Sequence, residues 1–269
     1  MIKGAVLGSP ISHSLSPVLH TAAFEFLEIQ GSYEAIEVPS GTLRDFIESK
    51  GSSFDYLSLT MPLKEEVVAL GISSDSQTQR IHSGNTLINR NGSWTLTSTD
   101  GSGCIAALKN IGLTNFESVL ILGAGGTARA VAGALDSHTK NLHVLGRSST
   151  REEALRGAVT QAQFEYVRWS TSVNFEEYDV VINTTPAGAA DILSSSIPPR
   201  VSTTLFDVIY KPWPTELARR WMDCGGRVIS GLELLLYQGI DQIELVLESS
   251  IDREGMADFI RRRLIEAAK

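Results

Sequence analysis

The run Val119-Leu120-Ile121-Leu122-Gly123-Ala124-Gly125-Gly126-Thr127-Ala128-Arg129-Ala130 is a short apolar stretch, then glycines, then small residues. It reads as a buried strand, a tight turn and a helix start. Gly123, Gly125 and Ala128 fit the G-x-G-x-x-G/A fingerprint of a dinucleotide-binding βαβ unit. The first glycine permits the turn, the second lets backbone approach a pyrophosphate, and the small third residue lets helix pack on strand. The unpaired N–H groups of the helix start then face phosphate. The loop also constrains the organisation, because more than one hundred residues precede it. The front of the chain is therefore expected to hold something other than the nucleotide, namely the substrate.

A chain of 269 residues, 42% hydrophobic, suits one large or two medium globular domains. Its net charge of −8 argues against nucleic acid or an anionic membrane as the main partner. Cys104 and Cys224 are too few and too far apart for a disulfide framework or a zinc site, so no metal is expected. No stretch approaches the roughly 20 apolar residues of a membrane-spanning helix. Met1–Gly8 reads as a strand followed by glycine rather than a signal peptide, and a cytoplasmic location is expected.

Strands are predicted at Ala5–Leu7, Tyr33–Val38 and Tyr56–Leu59, with a hairpin of Asn85–Asn89 and Trp94–Ser98 about Asn91-Gly92. Helices are predicted at Pro17–Ile29, with Ser16 as N-cap and Pro17 in the first turn, and at Thr42–Glu48. These elements suggest a parallel sheet with one antiparallel edge. After a connecting helix at Gly103–Ile111, apolar runs at Val119–Leu122, Leu142–Leu145, Val180–Asn183, Leu205–Val208 and Arg227–Ile229 suggest strands covered on both faces, a doubly wound nucleotide domain. Leu232–Leu247 and Met256–Ala268 carry helical apolar stripes. The expected boundaries are 1–101, 102–235 and 236–269, the last a helical tail packing back on the first.

An NAD site has a carboxylate about 20 residues past the glycines. This chain has Gly146-Arg147-Ser148-Ser149-Thr150-Arg151 there. Arg147, Ser148 and Arg151 suit a 2′-phosphate, which favours NADP, though the same residues also suit a solvated loop. Gly8–Pro17, with Ser14 and Ser16, precedes a helix start and could hold a carboxylate. On chemistry alone a capped turn is the stronger reading of it. Lys64, at a Pro-marked helix start, could exchange a proton or be an exposed lysine. Asp100 could pair with a lysine or cap the next helix. His13 and His20 have the chemistry to titrate near neutrality. His20, one residue past the apolar stripe, is expected to be structural.

Taken together these clusters resemble the shikimate dehydrogenase family over almost the full chain. The resemblance rests on Gly8–Pro17, Thr60-x-Pro62-x-Lys64, Gly84-Asn85-Thr86-Leu87, Thr99-Asp100-Gly101, the Gly123–Ala130 loop, Asn183–Gly188, Asp207-Val208-Ile209-Tyr210-x-Pro212-x-x-Thr215 and Gly231-Leu232-x-x-Leu235-Leu236-x-Gln238. It implies a two-domain α/β enzyme, with an N-terminal substrate domain and a doubly wound (Rossmann) NADP-binding domain, that interconverts 3-dehydroshikimate and shikimate as a monomer or homodimer. By the same resemblance Lys64 and Asp100 are the catalytic pair. Ser14 and Ser16 hold the substrate carboxylate, Thr60, Asn85 and Gln238 contact ring hydroxyls, and Tyr210 lines the pocket. Gly123, Ala124, Gly125, Gly126, Thr127, Arg147, Ser148, Arg151, Val208 and Gly231 match cofactor positions. Ser58, Ser98 and Gly146 depart from the family pattern, which more often has Asn, Asn, and Asn or Ala there. The competing readings are an NAD-dependent quinate/shikimate dehydrogenase and a non-catalytic ligand sensor. Ser16 and the Arg147 segment argue against the first, and the presence of both Lys64 and Asp100 against the second.

Overall fold

Strands and amphipathic helices alternate from the first residues. In the computed structural model, which describes residues 1–170 and 172–269, they run β1 (Ile2–Gly8), α1 (Ser16–Phe26), β2 (Gly31–Glu37), α2 (Leu43–Lys50), β3 (Tyr56–Leu59), α3 (Leu63–Glu66), β4 (Ser73–Ser74), α4 (Ser76–Ile81), β5 (Thr86–Arg90) and β6 (Ser93–Thr97). Among the described residues these strands form a six-stranded sheet ordered β2-β1-β3-β5-β6-β4. β1 is parallel to β2 and β3, β5 is antiparallel to β3 and β6, and β4 is parallel to β6.

The expected antiparallel edge is thus corrected: the reversed strand, β5, lies inside the sheet. Its hairpin turns on Asn91 and Gly92 at φ 53° and 86°, the two positive angles of a type I′ turn. That turn sends β6 back along the direction of β3 and leaves it an outer edge, which Ser73-Ser74 occupies. On one face Leu7, Leu57, Leu59 and Leu87 pack against Leu43 and Phe46 of α2 and Leu63 of α3.

Helix α1 also differs from expectation at both ends. Ser16 is its first helical residue rather than its cap; Leu15 holds the N-cap position and offers no side-chain cap, while Ser14 Oγ accepts from the Ser16 N–H at 3.3 Å. The helix stops at Phe26, and two residues later Glu28 takes a left-handed φ of 54°.

The chain continues with α5 (Asp100–Asn110), β7 (Phe116–Leu122), α6 (Gly126–Leu135), β8 (Thr139–Gly146), α7 (Glu152–Ala158), β9 (Gln163–Arg168), β10 (Val180–Asn183), β11 (Thr204–Asp207), α8 (Glu216–Asp223) and β12 (Val228–Ser230). The second sheet, all parallel, is ordered β12-β11-β10-β7-β8-β9. This is the doubly wound order with its switch point between β7 and β10. Residues 163–168, not expected as a strand, form its outer strand β9. One face of the sheet is closed by Leu217 and Trp221 of α8 over Leu120, Val181 and Leu205.

Helices α9 (Gly231–Leu247) and α10 (Arg253–Ala267) end the chain. The protein divides into two compact units, Met1–Gly103 with Leu235–Lys269, and Cys104–Leu234. Within the first, α10 packs on α1: Phe259 meets Phe26 at 5.7 Å between ring centroids, and Arg263 pairs with Glu25 at 2.9 Å. No helix among the described residues is long and apolar enough to cross a membrane.

Candidate functional site

In the first unit, Pro62 ends the loop after β3 and α3 starts directly, setting Lys64 in its first turn. Asp100 is the first residue of α5, delivered by the end of β6. Lys64 Nζ lies 2.5 Å from Asp100 Oδ2, with the carboxylate side chain 4% and the lysine side chain 18% exposed. An ion pair this enclosed keeps much of its Coulombic strength, but only if its remaining oxygens are satisfied. They are: Asn85 Nδ2 donates to Asp100 Oδ1 at 2.9 Å.

The Asn85 amide is the hub of this cluster. Its Nδ2 also reaches Thr99 Oγ1 at 3.0 Å and Gln238 Oε1 at 3.1 Å. Its Oδ1 accepts from the Thr99 N–H and the Thr86 hydroxyl, each at 2.8 Å. The Gly84 N–H donates to the Lys64 carbonyl at 2.9 Å, which fastens the lysine's helix to the segment that carries Asn85 into β5. Thr60 stands beside the loop after β1, where a Cβ on Gly8 would lie 2.4 Å from its Cγ2 and the Ser9 N–H donates to the Met61 carbonyl at 3.0 Å. That loop leads to Ser14, half-buried, and Ser16, buried, at the start of α1. So Lys64, Asp100, Asn85 and Gln238 are in direct contact, and the strand ends carrying Thr60 and the serine loop adjoin. Tyr210 belongs to the other unit.

There, β7 ends in the glycine loop. Gly123 adopts φ 105°, and a Cβ on it would meet Thr184 Oγ1 at 2.7 Å. Thr184 is held in turn, its N–H and hydroxyl both donating to the Leu122 carbonyl at 2.8 Å. At Gly125 a Cβ would meet nothing within 4 Å, so open space faces the start of α6, whose N-cap is Gly125 and carries no side-chain cap bond. A loop that excludes side chains, opens outward and leaves helix N–H groups uncapped suits a pyrophosphate. Arg147, Ser148 and Arg151 lie exposed just past β8. The Arg147 guanidinium stands 5.6 Å from the Trp169 ring centroid, a cation–π arrangement that orients it. Val208 and Gly231 meet through backbone, since a Cβ on Gly231 would lie 2.1 Å from the Val208 carbonyl oxygen. The residues present therefore fit an NADP-type dinucleotide.

The three departures have different local reasons. Ser58 is turned into a buried network, accepting from Tyr33 OH at 2.6 Å and donating to Gln242 Oε1 at 2.8 Å. Gly146 is a glycine because Tyr166 fills its side-chain space: a Cβ there would lie 1.9 Å from the Tyr166 hydroxyl, which donates to the Ser148 carbonyl at 2.7 Å. Ser98 Oγ is buried and finds no partner among the described residues. Sequence reasoning also missed Thr86 and Gln242 behind Asn85, and Trp169 beneath Arg147. One signal was present for Gln242: it is a polar residue one helical turn beyond Gln238, inside an apolar stripe. Among the described residues no group of three or more His, Cys, Asp or Glu could hold a metal ion.

Two family models match the chain, the shikimate dehydrogenase substrate binding domain over residues 6–87 and shikimate / quinate 5-dehydrogenase over residues 106–204. The chain is 30% identical to the NADP-dependent shikimate dehydrogenase of Staphylococcus epidermidis over 282 residues, covering 98% of this chain and 97% of that one. It is 31% identical to the Staphylococcus aureus enzyme of the same name over 273 residues, with 98% and 99% covered. The crystal structure of Mycobacterium tuberculosis shikimate dehydrogenase superposes with a TM-score of 0.87 at 31% identity, covering 97% of this chain and all of that one. The Thermus thermophilus enzyme, solved in complex with NADP(H) and shikimate, gives a TM-score of 0.83 at 31% identity over 98% of this chain and 100% of that one.

Proposed function

The chain belongs to the shikimate dehydrogenase family, and from that premise we propose that it catalyses the reversible NADPH-dependent reduction of 3-dehydroshikimate to shikimate, a step of aromatic amino-acid and chorismate biosynthesis. The observation that carries this reading is the enclosed Lys64–Asp100 pair with the Asn85 amide on the second carboxylate oxygen. In this reading residues 1–101, with the 236–269 tail, form the substrate-binding part and residues 102–235 the NADP-binding part.

The Gly123-Ala124-Gly125-Gly126-Thr127 loop would hold the pyrophosphate of NADP and Arg147, Ser148 and Arg151 its 2′-phosphate, while Val208 and Gly231 would complete the cofactor site. When bound in reduced form the cofactor supplies the hydride that reduces the ketone. The remaining work belongs to side chains. As the carbonyl π pair moves onto oxygen, the Lys64 ammonium donates a proton to that oxygen; in the reverse direction neutral Lys64 takes the proton from the hydroxyl. Asp100 holds Lys64 in place and accepts from a substrate hydroxyl. Thr60, Asn85 and Gln238 fix the ring hydroxyls. Ser14 and Ser16 hold the carboxylate at the start of α1, where backbone N–H groups favour an anion. By the family resemblance Tyr210 is a further substrate-binding residue. The partner is a small molecule, without nucleic acid or membrane, and the protein acts in the cytoplasm as a monomer or homodimer. The net charge of −8 supports the exclusion of polyanions.

Positioned proton transfer contributes about 10²–10⁴-fold to rate. Lys64→Ala is therefore expected to lower kcat by about that factor while leaving the affinity for NADP unchanged. The assay follows nicotinamide absorbance with shikimate or quinate and with NADP or NAD. Turnover of Lys64→Ala within a few-fold of the parent would remove Lys64 from the proton step. Preference for quinate with NAD would replace the substrate assignment.

A further inference from the structure

Behind the Lys64–Asp100 pair lies a buried chain of hydrogen bonds whose direction can be read proton by proton. Tyr33 OH donates to Ser58 Oγ at 2.6 Å. Ser58, having accepted there, gives its own hydrogen to Gln242 Oε1 at 2.8 Å. The other end of the same amide, Gln242 Nε2, donates to Thr86 Oγ1 at 2.8 Å. Thr86 donates onward to Asn85 Oδ1 at 2.8 Å. Asn85 Nδ2 then donates to Asp100 Oδ1 at 2.9 Å, and Lys64 holds Oδ2. Each hydroxyl in the series accepts from one side and donates to the other, so no link can reverse without stranding a buried donor. Ser58, Thr86, Asn85 and Asp100 are buried, and Gln242 is fully enclosed.

We propose that Gln242 is a positioning residue for the reaction: by engaging the Thr86 hydroxyl as an acceptor it commits that hydroxyl's hydrogen to Asn85, and so holds Asn85 with its donor toward Asp100. The Thr99 N–H on Asn85 Oδ1 fixes the same orientation from the other side. Gln242 and Gln238 are four residues apart on α9, hence on one face of it. Gln238 reaches Asn85 Nδ2 directly, while Gln242 Nε2 reaches the Asn85 side chain through Thr86 and also donates to the Asn85 backbone carbonyl at 3.4 Å. Ser58, where the family more often has Asn, is the hydroxyl that sets the Gln242 amide.

The titratable groups around Gln242 change no charge near neutrality. His20 on α1, which hydrogen-bonds to Gln242, is pulled down to about 3 by burial. Tyr33 on β2 and Tyr56 on β3 are pushed up by burial and stay phenols, hence donors. Asp100 lies beyond Asn85.

The inference rests on the roles given to Lys64 and Asp100 above, and the two fail separately. Gln242→Met keeps the length but supplies neither donor nor acceptor. Its kcat is expected to fall on the order of tenfold, the size of one orienting hydrogen bond, while KM for shikimate changes less than threefold. Thr86→Val cuts the chain one link later and is expected to give the same split with an independent risk to folding. Gln242→Glu supplies the discriminating readout. Protonated, its carboxyl donates to Thr86 as the amide does; ionised, it cannot. The ratio of its kcat to that of the parent is therefore expected to rise as pH falls, whereas the ratio for Gln242→Met stays flat. Circular dichroism and thermal unfolding identify the variants that fold. Full kcat in a folded Gln242→Met or Thr86→Val, or a Gln242→Glu ratio independent of pH, overturns the positioning role. If Lys64→Ala itself turns over normally, the catalytic assignment falls first.

Discussion

His20 sits on α1 with its ring stacked on Tyr33 at 3.9 Å and its Nδ1 2.8 Å from Tyr56 OH. Burial lowers its pKa from 6.5 to about 3, and hydrogen bonding to Gln242 offsets only part of that. The fold therefore keeps this ring neutral where the unfolded chain protonates it. The folded state binds fewer protons, so the contribution to stability is complete above the unfolded value and is lost as pH falls toward the folded one. The slope is about 1.4 kcal/mol per pH unit across that window. The stability difference between the parent and His20→Gln, read from urea unfolding, is expected to shift by about 2–3 kcal/mol against the parent between pH 7 and pH 4.5. An unchanged difference would mean that protonation of His20 is not what acid costs this fold. The sequence placed His20 correctly as structural, because it continues the buried side of α1. It could not supply Tyr56 and Gln242 as neighbours, since those lie 36 and 222 residues away along the chain. Gly146 is the opposite case. By sequence alone it is a lost contact beside Arg147; the ring of Tyr166 that occupies its place comes from β9, an outer strand whose pairing with β8 periodicity did not reveal.

Among the elements, the turn from β11 into α8 shows why a motif has its spacing. Asp207 ends β11 with no exposure and accepts from Asn183 Nδ2 at 3.0 Å, the Ile209 N–H at 3.1 Å and Thr215 Oγ1 at 2.6 Å. Burial raises its pKa despite these bonds. The same Thr215 oxygen accepts from the Ala218 N–H at 3.0 Å and is the N-cap of α8. One hydroxyl thus ties the helix start to a strand end eight residues earlier. Thr215→Val removes a cap worth about 1 kcal/mol and a hydrogen bond to a buried carboxylate worth about 1.5–3 kcal/mol. A loss of about 2.5–4 kcal/mol in denaturant unfolding is expected from those two terms; a loss below about 1 kcal/mol would mean that Asp207 finds another donor. Here the sequence was legible as a motif, while its cause lay in the fold. At the start of α1 residue type misled, because serine favours caps but the helical register begins at Ser16 itself, with Leu15 before it. The two-residue β4 left no periodicity to read; it is a strand only because β6 presents a free edge.

The molecule as a whole is written out of order. Its first unit needs both ends of the chain, Met1–Gly103 and Leu235–Lys269, with the second unit inserted between them. The glycine loop at mid-chain was the visible mark of that plan, and the apolar stripes of the two last helices showed that the tail needed a surface to cover. What stayed hidden was which tail residues enter the polar cluster, since Gln238 and Gln242 meet Asn85 and Ser58 across 153 and 184 residues. The tail also supplies core: Leu236, Ile240, Ile243, Val246, Ile260 and Leu264 are all buried. Leu19 of α1 packs so closely on α9 that a Cβ on Gly239 would lie 2.6 Å from its Cδ2. At roughly 1.5–3 kcal/mol per buried side chain, losing these residues is comparable with the ~5–15 kcal/mol that stabilises a whole domain. A chain ended after Leu234 is therefore expected to leave β1–β3 unprotected in amide hydrogen exchange, while β7–β12, whose core lies within Cys104–Leu234, keep their protection. Protected β1–β3 amides in that shortened chain would mean that the front segment closes its core without the helices that return to it.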